Sequence, residues 1–376
     1  MSDEPAEPAE PVESVEWKRQ LARGLRSARD LARLPLSEKE QAGIAAAASA
    51  FKVRAPASYV DLIDWADPRD PVRLQVIPAA EELQFDDREL GDPIGDLAHS
   101  PVPRLTHRYP DRVLLYPTYQ CAVYCRHCFR KESLNDGDRG FAPGELELAL
   151  RYIAEHPDIC EVIVTGGDPW LLADRHLAWL RGQLAAIAHV RMIRWHTRIP
   201  VVLPGRITEG AIAALSAPEG RPMTCVVSHF NHPREITGPT ADACRRLREA
   251  GFLLLNQTVL LRGINDSVEV LAALFRELVY TLGVKPYYLH HCDLVRGGSH
   301  FRTTIDEGLA LLAALRGNIS GVCLPTYVLD LPGGQGKVPL GPSQVEAREA
   351  HHWLFRNYRG ELCPYEEVVS DSPGGP

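Results

Sequence analysis

The stretch VLLYPTYQCAVYCRHC, Val113 to Cys128, decides how this chain folds. Val113 to Tyr116 is an apolar, strand-forming run, and three cysteines follow it on the loop that leaves the strand. Six further runs of this kind lie downstream: Val162 to Thr165, Met192 to His196, Thr224 to Val227, Phe252 to Leu255, Lys285 to His290 and Thr326 to Leu329. Helical patterns separate many of them, at Leu146 to Glu155, His176 to Ala188, Ala241 to Gly251 and Val268 to Leu282. Strands alternating with helices imply a parallel sheet with crossover connections. The number of units favours a complete or partial barrel over a two-layer sheet. In such barrels chemistry gathers at the C-terminal ends of the strands, and nearly every unusual polar cluster of this chain follows a strand run.

Upstream of the first strand the rhythm is different. Trp17, Leu21, Leu25 and Ala28 fall at helical spacing within Trp17 to Leu34, and Ser37 with Glu40 predicts a capping box that opens a second helix. The expected organisation is an acidic tail over 1–14, a helical region over 15–104, the barrel over 105–345 and a short segment over 346–376. A net charge of -8 offers no field for a nucleic-acid backbone, and no apolar run reaches the roughly 18 residues of a membrane span. A small-molecule substrate fits better. The N-terminus is acidic and rich in Pro and Ala, unlike a secretion signal, so the nine cysteines are expected in a reducing, cytoplasmic setting.

Cys121, Cys125 and Cys128 are clustered and the other six cysteines are scattered. Three thiolates on one loop can hold three irons of a [4Fe–4S] cube and leave the fourth iron open to a small molecule. The alternative is a zinc-stabilised binding module, with a structural tetrahedron completed by His127 or a distant residue. A zinc ribbon usually pairs two C-x2-C elements, and this chain has one. The other conspicuous motif, PGGQGK at Pro332 to Lys337, is not a Walker A loop. Leu331 takes the place of the first glycine, and Val338 that of the serine or threonine.

C-x3-C-x2-C after the first barrel strand resembles the radical S-adenosylmethionine superfamily. LTHRYPDRVLL at Leu105 to Leu115, HFNHP at His229 to Pro233, NQTVLLRGIND at Asn256 to Asp266, CDL at Cys292 to Leu294, HFRT at His300 to Thr303 and PGGQGK narrow it. Together, over about Trp17 to Leu340, they resemble the lysine 2,3-aminomutase family. The fold this implies is a partial (β/α)6 TIM-like barrel with a helical N-terminal extension and a short C-terminal segment.

The resemblance also implies cofactors. Cys121, Cys125 and Cys128 would hold a [4Fe–4S] cluster whose open iron binds S-adenosylmethionine. Gly166, Gly167 and Asp168 would lie near the methionyl end of that cofactor, and His229 and Gln257 near its adenosyl group. Lys337 would form the internal aldimine with pyridoxal 5'-phosphate, swinging on its glycine-rich loop, with Arg108, Tyr109 and Arg112 near the phosphate. Arg130 would take the substrate carboxylate. Asp293 and Asp330 would grip a cationic side chain, since two buried carboxylates repel unless a cation bridges them. The reaction implied is interconversion of L-lysine and β-lysine, with an electron donor such as flavodoxin or ferredoxin and a homodimeric assembly. His290 and Phe129 stand where the lysine enzymes commonly carry tyrosine and threonine, which keeps arginine open as the substrate.

Overall fold

The computed structural model describes residues 12–135, 140–217 and 220–368. Nine strands form one sheet in chain order: β1 Leu105–Tyr109, β2 Arg112–Thr118, β3 Glu161–Gly166, β4 Met192–His196, β5 Met223–Ser228, β6 Leu253–Leu260, β7 Lys285–His291, β8 Thr326–Leu331 and β9 Gly336–Leu340. From β2 to β8 every neighbouring pair is parallel, and β1 and β9 add antiparallel edges. Six crossovers therefore join seven parallel strands in a nearly closed barrel, as expected from the alternation in the sequence. No helix among the described residues is long and apolar enough to cross a membrane.

The parallel strands divide their side chains by period two. Val162, Val164, Ile193, Trp195 and Leu289 are buried with the helices, whereas Ile163, Thr165, Arg194, His196 and His290 line the interior. The helices answer with 3.6-residue stripes: Leu146, Ala149, Leu150 and Ile153 on Pro143–Glu155, and Leu271, Leu274, Phe275 and Leu278 on Val268–Tyr280. Helix starts are fixed by side chains. Ser267 accepts from the Val270 amide, and Thr304 and Glu307 form a capping box on Ile305–Leu315.

The capping box at Ser37 and Glu40 is present, with the Ser37 amide donating to Glu40 at 3.0 Å. The helix expected over Trp17 to Leu34 is broken instead into Val12–Arg23 and Ala28–Leu31. Leu25 leaves the helix to exchange two backbone hydrogen bonds with Ala55, at 2.8 and 3.0 Å. Gly24 permits this because a Cβ there would overlap the Ala55 carbonyl. The expected tail lies outside the described residues as far as residue 11, as do residues 369–376 of the C-terminal segment.

β6 extends well beyond its apolar run, and the motif that carries Lys337 opens a strand of its own. β6 continues through Asn256 and Thr258 to Leu260, because these buried polar groups bond the Phe230 backbone. The PGGQGK segment is a tight turn followed by β9, so Lys337 sits in a strand and not at the end of a loop. Its direct cross-strand partner is Asp330. Downstream, β10 Val345–Glu349, β11 His352–Arg356 and β12 Leu362–Glu366 form a separate antiparallel sheet that the sequence reading did not anticipate.

Leu289, fully buried on β7, reports on the layer between sheet and helices. Leu289→Ala is expected to destabilise the fold by about 2–5 kcal/mol, read from the shift of a chemical denaturation curve. A loss under about 1 kcal/mol would mean that this layer is not tightly packed.

Candidate functional site

The barrel interior holds a cavity of about 390 Å³, and every site residue singled out in the sequence lines it. Cys121, Cys125 and Cys128 lie there with Gly166, Gly167, Asp168, His229 and Gln257. Also in its wall are Lys337, Asp330, Asp293, Arg130, Arg108, Tyr109 and Arg112. None of the cysteines is in a disulfide. Among the described residues no three His, Cys, Asp or Glu side chains converge as the ligands of one metal ion do.

The loop after β3 is packed against the start of the cysteine loop. The Gly167 and Asp168 amides donate to the carbonyls of Thr118 and Gln120 at 2.9 and 2.8 Å. Gly166 has φ +104°, and a Cβ on Gly167 would overlap the Tyr119–Gln120 backbone. The glycines are thus required by an approach of the chain to itself. The Asp168 carboxylate accepts from Thr197 Oγ1 at 2.7 Å, the Arg198 amide at 2.8 Å and the Trp170 amide at 3.1 Å. It ties β3 to the end of β4. Burial pushes its pKa up to about 6, against those hydrogen bonds.

The HFNHP and NQTVLLRGIND motifs lock each other. Asn231 accepts from the Val259 amide and donates to Gln75, both at 2.9 Å, while Asn265 donates to the Asn231 and Val259 carbonyls, also at 2.9 Å. His229 and Gln257 are thereby held in the cavity wall. His127, His196, His229 and His290 each keep one buried ring nitrogen without a hydrogen-bond partner. Burial lowers the pKa of all four, which favours neutral rings able to accept or donate to a ligand. His196 was not singled out in the sequence, where a histidine ending a strand has no distinguishing mark.

Farther along the wall is a set of opposed charges. Lys337 Nζ pairs with both oxygens of Asp330, and His290 Nδ1 lies 3.3 Å from Asp330 Oδ2. Burial alone would raise the Asp330 pKa, but His290 and Lys337 outweigh it and hold the carboxyl at about 2. At Asp293 the charges of Lys337 and Arg130 act in the same sense but do not prevail. Burial first, and then the charge of Asp330, push it up to about 7. Lys337 also donates its amide to Tyr109 Oη at 2.9 Å.

Arg130 and Arg108 meet on one acid that the sequence reading missed. Arg130 donates to Asp96 Oδ2 from Nη2 at 2.7 Å and from Nε at 3.2 Å, and Arg108 donates to Asp96 Oδ1 at 2.9 Å. Burial opposes ionisation of Asp96, yet the two guanidinium groups keep its pKa below the ordinary value. Arg130 also lies over the Phe129 ring, 4.3 Å from its centroid. Arg112 lies over Tyr109 at 3.9 Å and pairs with Asp111 at 2.6 Å. The one trace of Asp96 in the sequence is the PIGD turn. There Gly95, with φ +67°, packs against the Gly333–Gly334 backbone.

A family model described as Lysine-2,3-aminomutase matches residues 312–374. The chain is 40% identical over 360 residues to L-lysine 2,3-aminomutase of Clostridium subterminale, covering 96% of this chain and 86% of that one. It is 41% identical over 353 residues to L-lysine 2,3-aminomutase of Fusobacterium nucleatum, at 94% and 82% coverage. Against glutamate 2,3-aminomutase of Clostridioides difficile it is 37% identical over 334 residues, covering 89% and 78%. With this extent of similarity added to the barrel and its charged cavity, the chain belongs to the lysine 2,3-aminomutase family and is an isomerase.

Proposed function

We propose that this protein moves the α-amino group of L-lysine to the neighbouring carbon, giving β-lysine. It would use a [4Fe–4S] cluster held by Cys121, Cys125 and Cys128, S-adenosylmethionine, and pyridoxal 5'-phosphate carried by Lys337. The observation that carries this reading is the meeting, in one cavity, of three free thiols, a lysine and two acids of opposite protonation behaviour. When bound, the cluster with the sulfonium compound supplies one-electron removal and return of a hydrogen, and the pyridoxal ring supplies a π-system across which nitrogen can migrate.

The donor sets fit these groups. The three thiols are free and line one cavity, as ligands on three corners of a cube would. The buried, unpartnered nitrogens of His229, which can donate or accept, and of Arg108, which donates, suit an adenosyl group and a phosphate respectively. The role assigned to Arg112 is likewise with the phosphate.

The chain's own residues then orient the substrate. Arg130 takes the carboxylate, with Asp96 fixing its guanidinium from the Nε and Nη2 side. Asp330 and Asp293 take the tail ammonium. Lys337 Nζ supplies the cation that Asp330 requires. Once that nitrogen is committed to the cofactor, the carboxylate needs a new positive partner, which a cationic substrate brings. Tyr109, bonded to the Lys337 amide, holds the strand in place while its side chain moves.

A low-potential donor of the flavodoxin or ferredoxin class would reduce the cluster, and the setting would be the cytoplasm. The assembly in this reading is a homodimer. Exposed Val345, Tyr358, Leu362 and Tyr365 on and beside the C-terminal sheet favour self-association. The regions 15–104, 105–345 and 346–376 would act as helical support, barrel and appendage.

Anaerobically reconstituted protein, given reductant and S-adenosylmethionine, should convert L-lysine to β-lysine and turn over L-arginine more slowly. Faster turnover of arginine, or of an uncharged amino acid, would overturn the substrate assignment. A second expectation follows from Asp293. Its pKa near 7 means that it is neutral below that pH and ionised above it, and only the ionised form attracts an ammonium. The KM for lysine should therefore fall as pH rises from 6 to 8, by up to about tenfold per unit below 7. Asp293→Asn should flatten that slope. An unchanged slope in the variant would assign the titration to another group.

A further inference from the structure

We propose that Arg198 is a positioning residue that tunes the reduction potential of the cluster through the Cys125 thiolate. This rests on the cluster reading above. Arg198 follows β4 and is 5% exposed, and its Nη1 donates to Cys125 Sγ at 2.7 Å. Its other terminal nitrogen, Nη2, is held by Glu235 Oε1 at 2.7 Å, Gln75 Oε1 at 2.5 Å and Tyr59 Oη at 3.0 Å. The backbone amide of Arg198 is fixed by Asp168 at 2.8 Å. Gln75 also accepts the Arg126 amide of the cysteine loop through its own carbonyl at 2.9 Å. The guanidinium is therefore aimed at one sulfur by a buried frame that also grips the loop carrying that sulfur.

Reduction of the cube from its 2+ to its 1+ state takes one electron from a low-potential donor and no proton. The added negative charge spreads onto the thiolate sulfurs. A charge-assisted hydrogen bond to a sulfur grows stronger as that happens, so Arg198 stabilises the reduced form and raises the potential. Burial makes the effect larger, because little water screens it. Glu235 sets its size. The carboxylate is itself fully buried, accepts from the amides of Asn231 and His232 at 2.6 and 2.8 Å, and neutralises much of the guanidinium charge. The two residues act in opposite senses on the same sulfur, which a purely structural ion pair would not do.

The test reconstitutes the parent chain, Arg198→Met, Arg198→Lys and Glu235→Gln with iron and sulfide without air. Each is assayed for iron and sulfide and titrated with dithionite, following the reduced cluster by electron paramagnetic resonance with no substrate present. In Arg198→Met the ratio of reduced to oxidised cluster at a fixed poise should fall about tenfold, a shift of about 59 mV for one electron. Arg198→Lys should recover most of that ratio, and Glu235→Gln should raise it above the parent. Unchanged ratios, or shifts of one sign in both Arg198→Met and Glu235→Gln, would overturn the proposal. So would failure of both to assemble a cluster that the parent assembles, since the network would then serve folding alone. A parent chain that takes up no four-iron cluster would instead sink the reading of the site itself.

Discussion

A sheet that stops after seven parallel strands cannot close by backbone pairing alone, and the way this chain spans the remaining gap shapes the rest of its interior. The edges are β1 and β9, both antiparallel to their neighbours. One bond across the seam runs from the Lys337 amide to the Tyr109 hydroxyl. Gly336, with φ +89°, lets the tyrosine lie close, since a Cβ there would come within 3.1 Å of its oxygen. Below it, Gly95 packs against Gly333 and Gly334 and brings Asp96 to the same edge. The HRYPDR, PIGD and PGGQGK segments, far apart in the chain, therefore meet as parts of one closure. Lys337 faces the cavity because its strand is needed to finish the wall.

The polar motifs divide into groups that touch the cavity and groups that hold those groups still. Asn231, Asn256 and Asn265 use their amides on neighbouring backbone and leave His229 and Gln257 to face inward. Asp168 does the same between β3 and β4. Such buried amides and carboxylates are costly unless fully bonded, and here they carry two or more partners each. The outcome is a rigid wall on which a few side chains keep unpaired donors. That division is what a site needs when its ligands must be held against diffusion of reactive species.

Charge is arranged in the same economical way. Asp96 serves two arginines, Asp330 serves a lysine and a histidine, and Glu235 serves Arg198 beside the cysteine loop. Each acid holds its partner cation in a fixed orientation. Asp293 is the exception, where burial and the charge of Asp330 outweigh Lys337 and Arg130 and bring its pKa up to about 7. A site with one permanently ionised acid and one poised acid can adjust its charge to that of the incoming side chain.

The sequence by itself determined the strand and helix alternation, the parallel barrel and the capping box at Ser37, while its family resemblance pointed to many residues that line the cavity. Period-two and period-3.6 patterns and turn chemistry are local, so they are written in consecutive residues. Only the tertiary structure decided that the Trp17 helix breaks at Gly24, that Lys337 lies in a strand opposite Asp330, and that Asp96, His196 and Arg198 join the cavity and its frame. All of these but His196 depend on a partner tens or hundreds of residues away: Ala55 for Leu25, Tyr109 for Lys337, Arg130 for Asp96 and Cys125 for Arg198. No local propensity encodes such contacts. They exist because closing the barrel leaves buried polar groups that must find one another.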